Sequence, residues 1–504
     1  MNLVEQVREN AVKYPHKEAF YFEGNRTTYG ELEKQVSRLA FSLHQLGMKK
    51  GDHVAVILNN SPDFIISFYA IMRVGATTIP INPAFTVDEM AYIIDNGDVE
   101  WIIFEGDLHQ KIYELKRPLK QMKGWIVCGD LEEENSFYSL SQLMNHEHDF
   151  VPVSLQDDDL AIILYTSGTT GYPKGAMLTH GNLVANARDV GNFFLFTCED
   201  RVIATLPFYH VFALTVVLNV PLTKGATIFI APRFSPMKIF ELARLGASVF
   251  AGVPTMYSFL YQYEEGNPKD FSNLRLAISG GAPLPIKVLE NFERRFQIPI
   301  FEGYGLSEAS PVTCFNPPDR ERKPGSIGMS ILNVENKVVD ENGQEVKVGE
   351  VGELICRGPN VMKGYYKMEK ETANTIRDDW LYTGDLAKQD KEGYFYIVDR
   401  KKDLIIVGGL NVYPREVEEV LYTYPQVLEA AVIGVQEEDY GEEVHAYIVL
   451  KDERCTRDEL EAFCKKYLAP YKIPKVYHFV QELPKNSTGK ILKRFLKERN
   501  FEAK

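Results

Sequence analysis

Features that would assign this chain to several common protein classes are absent from its sequence. Its six cysteines form no CxxC pair and are too sparse for a disulfide framework, which argues against a structural zinc site and indicates a reducing compartment. The longest apolar runs, such as residues 160–165, are far shorter than the roughly 18 residues that a membrane span requires. Residues 1–12 contain charged side chains and no continuous apolar stretch, so we expect no secretory signal and a soluble, cytoplasmic protein.

Positive charge is also scarce. Lysine and arginine number 56 against 70 aspartates and glutamates, which gives a net charge of −14. We therefore expect no nucleic-acid partner, because a surface that binds the phosphate backbone needs an excess of basic residues. Hydrophobic residues make up 45% and charged residues 25% of the 504 residues, values typical of a globular protein long enough for more than one domain.

Strand-like and helix-like segments alternate along the first part of the chain. A capping box at 28–31 begins an amphipathic helix that continues to Gly47, and a second helical pattern covers 63–73. This alternation predicts an α/β fold with parallel strands, and short β-rich runs between 325 and 398 predict a smaller β subdomain. The strand-like runs are 53–58, 77–81, 101–104, 125–128, 160–165, 335–339 and 352–356.

The last hundred residues have a different, α+β pattern. Apolar runs at 429–435 and 444–450 predict strands, and a capped segment at 456–467 predicts a helix. We therefore expect a main body over 1–398, a charged joint at 399–403 and a separate domain over 404–504. The tail at 490–499 alternates basic and apolar residues, which predicts an amphipathic helix that packs on its own domain or weakly contacts an anionic membrane.

The most informative segment is YTSGTTGYPKG at 165–175, directly after a predicted strand. Its glycines allow close backbone approach to a ligand, and its hydroxyls and lysine suit phosphate oxygens. The lysine follows a proline, so the segment is not a Walker loop, and a flexible surface turn is the alternative interpretation. The predicted phosphate-binding residues are Thr166, Ser167, Gly168, Thr169, Thr170, Gly171 and Lys174.

Together with this loop, five further segments resemble the adenylate-forming superfamily, which contains acyl-CoA synthetases, beetle luciferases and the adenylation domains of peptide synthetases. They are FEGYGLSE at 301–308, YTGD at 382–385, DRKKD at 399–403, the glycine pair at 408–409 and PKNSTGK at 484–490. The resemblance covers nearly the whole chain and is strongest to fatty acyl-CoA synthetases. It implies an acid–thiol ligase that uses ATP, Mg²⁺ and coenzyme A, and a mobile C-terminal domain.

The resemblance also implies the nucleotide site. Tyr304 would lie on the adenine, Ser307, where the family usually has threonine, would contact the α-phosphate, and Glu308 would hold Mg²⁺. Asp385, presented by a turn, would accept hydrogen bonds from the ribose hydroxyls. A glycine-rich β-turn with an exposed glutamate is the alternative for 302–308. The remaining predicted nucleotide contacts are Gly281, Ala282, Pro283, Glu302, Gly303, Gly305 and Arg400.

Lys490 matches the family's adenylation lysine, which delivers positive charge to the reacting carboxylate and α-phosphate. The alternative is a solvated lysine at a helix N-terminus. Lys402 matches the family's hinge, and Gly408 and Gly409 match the pair that faces the pantetheine channel. A solvated linker is the alternative interpretation of the charged joint.

The acyl pocket is predicted around LPFYHVFAL at 206–214. The resemblance places His210 beside the reacting carboxylate, although a lone histidine in an apolar segment is more often a core residue. No acidic residue lies between 206 and 218, so an apolar acid fits better than an amino acid. Long-chain members often have tryptophan where Leu214 stands, which leaves the chain length open. The predicted pocket residues are Tyr209, Leu214, Gly252 and Val253.

Two other functions remain open at this point. The first is an acyl-AMP ligase that loads a carrier protein, and the second is a non-catalytic nucleotide sensor. The simultaneous presence of Lys174, Glu308, Asp385, Arg400 and Lys490 argues against the sensor. The sequence leaves the choice between a monomer and a homodimer open.

Overall fold

The computed structural model describes residues 1–116, 119, 122–129, 137–166, 173–437, 441–451, 455–486 and 489–502. Within these ranges helices and strands alternate as predicted, and the α/β fold class is confirmed. In the described part of the chain no helix is both long and apolar enough to cross a membrane.

Two large sheets form the centre of the body. Most of their inner strands pair in parallel, because each is followed by a helix that returns the chain to the same edge. The first sheet has the spatial order Met329–Ser330, Val312–Phe315, Ile300–Gly305, Leu276–Ser279, Val249–Gly252, Arg201–Ala204, Thr227–Ile230, Glu18–Phe22 and Asn25–Thr28. The second has the order Gly364–Tyr365, Lys174–Thr179, Leu160–Thr166, Thr77–Pro80, His53–Ile57, Trp101–Glu105, Gly124–Cys128 and Tyr138–Ser139.

Two smaller, mainly antiparallel sheets follow. One contains Glu335–Val339, Gly352–Arg357, Trp380–Gln389, Ile376–Arg377 and Phe395–Arg400. The other contains Leu410–Val412, Ile405–Val407, Gly441–Leu450, Val427–Glu437 and Val476–Phe479. Buried apolar residues of the last sheet form clusters separate from those of the body. The boundary at 398 and the hinge at 399–403 stay predictions.

The helices surround the sheets, and their ends follow local sequence signals. Thr28 caps Tyr29–Gln45 with Glu31 in the predicted capping box, and Thr456 caps Arg457–Tyr467 with Glu459 in the same way. The α-helices are Leu3–Lys13, Tyr29–Gln45, Pro62–Val74, Val87–Asn96, His109–Lys116, Leu140–Leu143, His180–Phe193, Val211–Ala213, Val220–Lys224, Pro236–Arg244, Pro254–Gln262, Ile286–Phe296, Glu369–Thr375, Pro414–Thr423, Arg457–Tyr467 and Lys493–Glu502.

The tail helix begins at Lys493, three residues later than predicted. Ile491 pairs with Lys485 in an isolated bridge, which keeps Lys490 in a non-helical segment. The apolar face of the helix packs on its own domain as expected, because Leu496 is buried with Ala431 and Ile433. A contact with a membrane surface stays a prediction.

Candidate active site

Several predicted site residues lie at the carboxyl ends of neighbouring parallel strands in the first sheet. Gly252 ends Val249–Gly252 and is followed by Val253, which caps Pro254–Gln262. Gly281, Ala282 and Pro283 follow Leu276–Ser279, and the 302–308 segment begins inside Ile300–Gly305. In open α/β sheets this edge is where ligands bind, so the fold brings these segments to one cleft.

The predicted phosphate loop joins two antiparallel strands. Thr166 ends Leu160–Thr166 and pairs with Lys174, the first residue of Lys174–Thr179. A Walker loop joins a strand to a helix, whereas this segment joins two antiparallel strands. The structure therefore agrees with the prediction that this is not a Walker loop. Ser167, Gly168, Thr169, Thr170 and Gly171 lie outside the described residues.

The 302–308 segment is a strand followed by a short 3-10 turn, so the alternative of a β-turn is wrong. Glu302 is buried, and its Oε1 accepts a hydrogen bond from the Leu284 amide at 3.0 Å. This hydrogen bond fixes the backbone next to Pro283. Burial raises the pKa of Glu302 to about 7. Gly303 and Gly305 pass directly against Phe315 and Pro311, where a side chain has no room.

Tyr304 and Arg400 both contact the Asp385 carboxylate. The Tyr304 hydroxyl donates a hydrogen bond to Oδ2, and Arg400 Nε lies 3.6 Å from Oδ1. Burial and the neighbouring carboxylate raise the pKa of Tyr304 well above its usual value, so the hydroxyl stays protonated. The predicted adenine and ribose residues are therefore adjacent.

Asp385 lies on a strand, and the prediction of a simple turn is wrong. Trp380–Gln389 pairs with Gly352–Arg357, but its register shifts between the Tyr382 and Leu386 pairs, which leaves extra residues on the Asp385 side. Gly384 in this bulge has φ +73°, a left-handed conformation that favours glycine. Such bulges redirect side chains next to active sites, and this one projects Asp385 towards Tyr304.

Lys490 reaches the same place from the C-terminal part of the chain. Its amide donates to Asn486 Oδ1 at 2.9 Å, and its carbonyl accepts from the Asn486 amide at 2.9 Å, so two hydrogen bonds join Lys490 to Asn486. Burial, together with the positive charge of Arg400, lowers the pKa of Lys490 to about 7. Lys490 is half-buried and lies three residues before the tail helix, so the alternative of a solvated lysine at a helix N-terminus is wrong.

Gly489, directly before Lys490, lies close to residues of the body and has no room for a side chain. A Cβ atom at this position would lie 2.9 Å from Thr255 Oγ1 and 3.3 Å from Val253 Cγ2. Its φ of +82° is also a conformation that side chains rarely adopt. The predicted acyl-pocket residue Val253 therefore lies next to Gly489, the residue before Lys490.

His210 lies where the acyl pocket was predicted. It caps the short helix Val211–Ala213, and its Nδ1 accepts a hydrogen bond from the Phe212 amide at 3.3 Å, so the neutral ring carries its proton on Nε2. Burial, and then the nearby Lys490 charge, lowers the pKa of His210 to about 4, so the ring is neutral near pH 7.

Leu214 is fully buried and begins the π-helical segment Leu214–Asn219, a distortion common at functional sites. Tyr209 is half-buried in the turn directly before His210. The Phe212 ring lies against Gly280, where an added Cβ would be 3.1 Å from Phe212 Cζ. Apolar side chains thus line this side of the cleft.

The predicted CoA-channel residues lie in an exposed turn, and their role stays a prediction. Gly408 and Gly409, with φ +56° and +81°, form the exposed two-residue turn between Ile405–Val407 and Leu410–Val412. An added Cβ at Gly409 would meet no atom within 4 Å, so the turn conformation itself accounts for this glycine. Lys402 is exposed in the turn after Phe395–Arg400.

Glu308 and Ser307 lie in the 3-10 turn Ser307–Ala309. Glu308 is half-buried, and its Oε1 accepts a hydrogen bond from the Tyr365 hydroxyl at 2.8 Å. Among the described residues Glu308 forms no ion pair, and a carboxylate of this kind fits Mg²⁺, which binds proteins through one or two carboxylates and substrate phosphates.

Two family patterns match most of the chain. The pattern of the family described as "AMP-binding enzyme" matches residues 7–366, and that of the "AMP-binding enzyme C-terminal domain" matches residues 416–490. The chain belongs to the AMP-binding enzyme family. The predicted membership of the adenylate-forming superfamily is thereby confirmed.

Curated relatives of this AMP-binding enzyme cover almost its whole length. It is 37% identical to a long-chain-fatty-acid–CoA ligase of Bacillus subtilis, over 98% of this chain and 94% of the relative. It is 36% identical to a feruloyl-CoA synthase of an Amycolatopsis species, over 95% of each chain.

Among solved structures, ATP-bound MatB from Rhodopseudomonas palustris is 34% identical and superposes with a TM-score of 0.93 over 100% of both chains. The apo form of that protein superposes with a TM-score of only 0.80. Over its whole length the chain is thus more similar to the ATP-bound form than to the apo form.

Three contacts of the AMP-binding enzyme were not predicted from its sequence. Tyr365 donates a hydrogen bond to Glu308, Thr255 lies next to Gly489, and Arg415 donates to the Ile397 carbonyl at 2.8 Å. In the sequence, the two tyrosines after Gly364 are the one feature that could have indicated the contact with Glu308. The other two residues lie in segments whose sequences predict ordinary helix starts.

Proposed function

We propose that this protein is an acyl-CoA synthetase that converts ATP, an apolar carboxylic acid and coenzyme A into acyl-CoA, AMP and diphosphate through an acyl-adenylate. The prediction of an acid–thiol ligase is confirmed at the level of the reaction class, because curated relatives across the whole chain are CoA ligases. ATP and coenzyme A are accordingly its substrates. The residue assignments below belong to the proposal.

One observation supports this reaction more than any other: a lysine from the C-terminal part of the chain shares a cleft with the nucleotide-site residues of the body. Lys490 lies close enough to Arg400 and Asp385 for their charges to shift its pKa. In the first step the substrate carboxylate attacks the α-phosphate and diphosphate leaves. Lys490 stabilises the negative charge that develops there, and Asp385 and Arg400 hold the ribose.

His210 has a separate role at the acyl end. With Nδ1 occupied by the Phe212 amide, its Nε2–H is available to donate to an oxygen of the reacting carboxylate. Because the ring is neutral near pH 7, it positions this oxygen without forming a competing salt bridge. Glu308 would hold Mg²⁺, which supplies neutralisation of phosphate charge when bound.

The second step needs a different domain arrangement. Lys490 is half-buried in the present structure, whereas the Gly408–Gly409 turn is exposed. Rotation of the C-terminal domain about Lys402 would withdraw the lysine and bring the glycine turn to the cleft, where the thiol of coenzyme A attacks the acyl carbonyl and AMP leaves.

The pocket residues favour an apolar acid. Residues 206–218 contain neither an acidic nor a lysine or arginine side chain, so an amino acid or a second substrate carboxylate would be buried without a counterion. A fatty acid is our first proposal, in line with the Bacillus subtilis relative. An aromatic acid is the second, because the feruloyl-CoA synthase is nearly as similar.

A panel of acids tests this function. Thioester formation from coenzyme A should be measured with acetate, octanoate, palmitate, ferulate, malonate and alanine in the presence of ATP. We expect an aliphatic or aromatic apolar acid to give a kcat/KM at least tenfold above those of malonate and alanine. A preference for either of these two, or AMP release without thioester, would contradict the proposal.

ATP binding should also take up a proton. In the free protein Lys490 has a pKa of about 7, so most molecules are neutral at about pH 8.5, and the ATP phosphates favour the charged amine. We expect close to one proton taken up per ATP at about pH 8.5 and little at about pH 6, where the lysine is already protonated. Calorimetry in buffers of different ionisation enthalpy measures this uptake, which should be missing in Lys490→Ala.

A further inference from the structure

Tyr365 lies between two groups of the phosphate site that are far apart in the sequence. Its hydroxyl donates to Glu308 Oε1 at 2.8 Å. The Lys174 Nζ atom lies over its ring, 5.2 Å from the ring centre. The hydroxyl is therefore directed at a carboxylate while the ring face meets an ammonium group.

The position of this side chain is fixed by its surroundings. Tyr365 pairs with Ala176 on the strand that begins at Lys174, and its amide donates to Thr372 Oγ1 at 2.8 Å. Only 8% of its surface is exposed. The neighbouring segment holds Glu308 a second time, because the Met362 amide donates to the Glu308 carbonyl at 2.8 Å.

We propose that Tyr365 is a positioning residue that orients the Glu308 carboxylate towards the metal and the Lys174 ammonium towards the phosphates of ATP. A hydrogen bond to Oε1 orients the carboxylate and leaves Oε2 for a cation, and such outer contacts of ligating carboxylates commonly change metal affinity 10- to 100-fold. The ring attracts Lys174 through its quadrupole. This inference rests on the proposed function, since it assigns the phosphate site of that function.

Two substitutions separate the two contacts. Tyr365→Phe removes the hydroxyl and keeps the ring, whereas Tyr365→Leu removes both. Tyr366→Phe is a matched control, because the adjacent hydroxyl donates to Asp98 at 2.7 Å on the protein surface. Thermal unfolding of each variant without nucleotide confirms that it is folded.

The affinity for ATP should be measured by calorimetry without acid, once with saturating Mg²⁺ and once in EDTA. The dissociation constant in EDTA divided by that with Mg²⁺ gives the metal contribution to affinity. We expect Tyr365→Phe to lower this ratio about tenfold or more and to leave the EDTA value unchanged. Tyr365→Leu should in addition weaken ATP binding in EDTA about two- to fivefold. Tyr366→Phe should resemble the wild type in both measurements.

The outcomes distinguish this inference from the proposed function. A wild type that binds ATP equally well with Mg²⁺ and in EDTA would contradict the metal role of Glu308 and with it part of the proposed function. A normal wild-type ratio that Tyr365→Phe leaves unchanged would overturn the role of Tyr365 alone. Equal weakening in both conditions would also overturn it, because a general distortion does not act through the metal.

Discussion

Replacing Lys490 with alanine is expected to lower acid-dependent diphosphate release by about 10²- to 10³-fold, the usual cost of removing one electrostatic group that acts on a transition state. Lys490 is half-buried and close enough to Arg400 and Asp385 for their charges to shift its pKa, so its charge acts on the reacting phosphate with less screening than in open water. Thioester formation from synthetic acyl-adenylate should stay within about twofold of the wild type, because in the proposed mechanism the lysine leaves the cleft before that step.

The control for Lys490 is Lys465→Ala. Lys465 is an exposed lysine on the helix Arg457–Tyr467 of the same domain and pairs only with Glu461, at 2.7 Å, among the described residues. Both half-reactions should be unchanged in this variant. Undiminished diphosphate release in Lys490→Ala, or equal loss of both half-reactions, would remove Lys490 from the proposed role.

Gly489→Ala should have the second largest effect, a loss of about 10²-fold in the adenylation step. The new Cβ atom would lie 2.9 Å from Thr255 Oγ1, and the left-handed backbone at φ +82° adds strain of about 1–2 kcal/mol. Both effects oppose the docked position of the Lys490 turn. The thioester step should be spared, since the proposed mechanism does not require a docked turn in that step. Single-turnover measurements of each half-reaction separate the two effects.

Two further variants test the steric origin of the Gly489 effect. Gly349→Ala introduces a side chain at a similar φ of +89°, but with no atom within 4 Å, and should leave adenylation unchanged. Combining Gly489→Ala with Thr255→Ala should recover part of the lost rate, because the closest contact is removed while the strain remains. Full activity of Gly489→Ala would show that the turn does not dock as described.

Local sequence signals predicted the elements of the fold well, because they depend on neighbouring residues. The capping boxes at Thr28 and Thr456 and the strand that delivers the phosphate loop are examples. The start of the tail helix was wrong by three residues, because the bridge between Lys485 and Ile491 overrides local helix propensity.

The candidate site was predictable only in part. The types of side chain at Glu308, Asp385 and Lys490 follow from the motifs, but their arrangement depends on contacts between distant segments. Asp385 projects into the cleft because its strand bulges opposite another strand, which the YTGD motif does not reveal. The bond between Tyr365 and Glu308 joins residues 57 positions apart, and no periodic pattern in the sequence relates them.

The most direct test of the account is a crystal structure with a non-hydrolysable acyl-adenylate mimic whose acyl group comes from the preferred acid of the panel. We expect the mimic in the cleft between the body and the C-terminal domain, with its ribose on Asp385, its acyl carbonyl beside His210 and Lys490 at its phosphate substitute. A mimic bound elsewhere, or one held by the body alone with Lys490 remote, would contradict the central claim that both parts of the chain bind the same nucleotide.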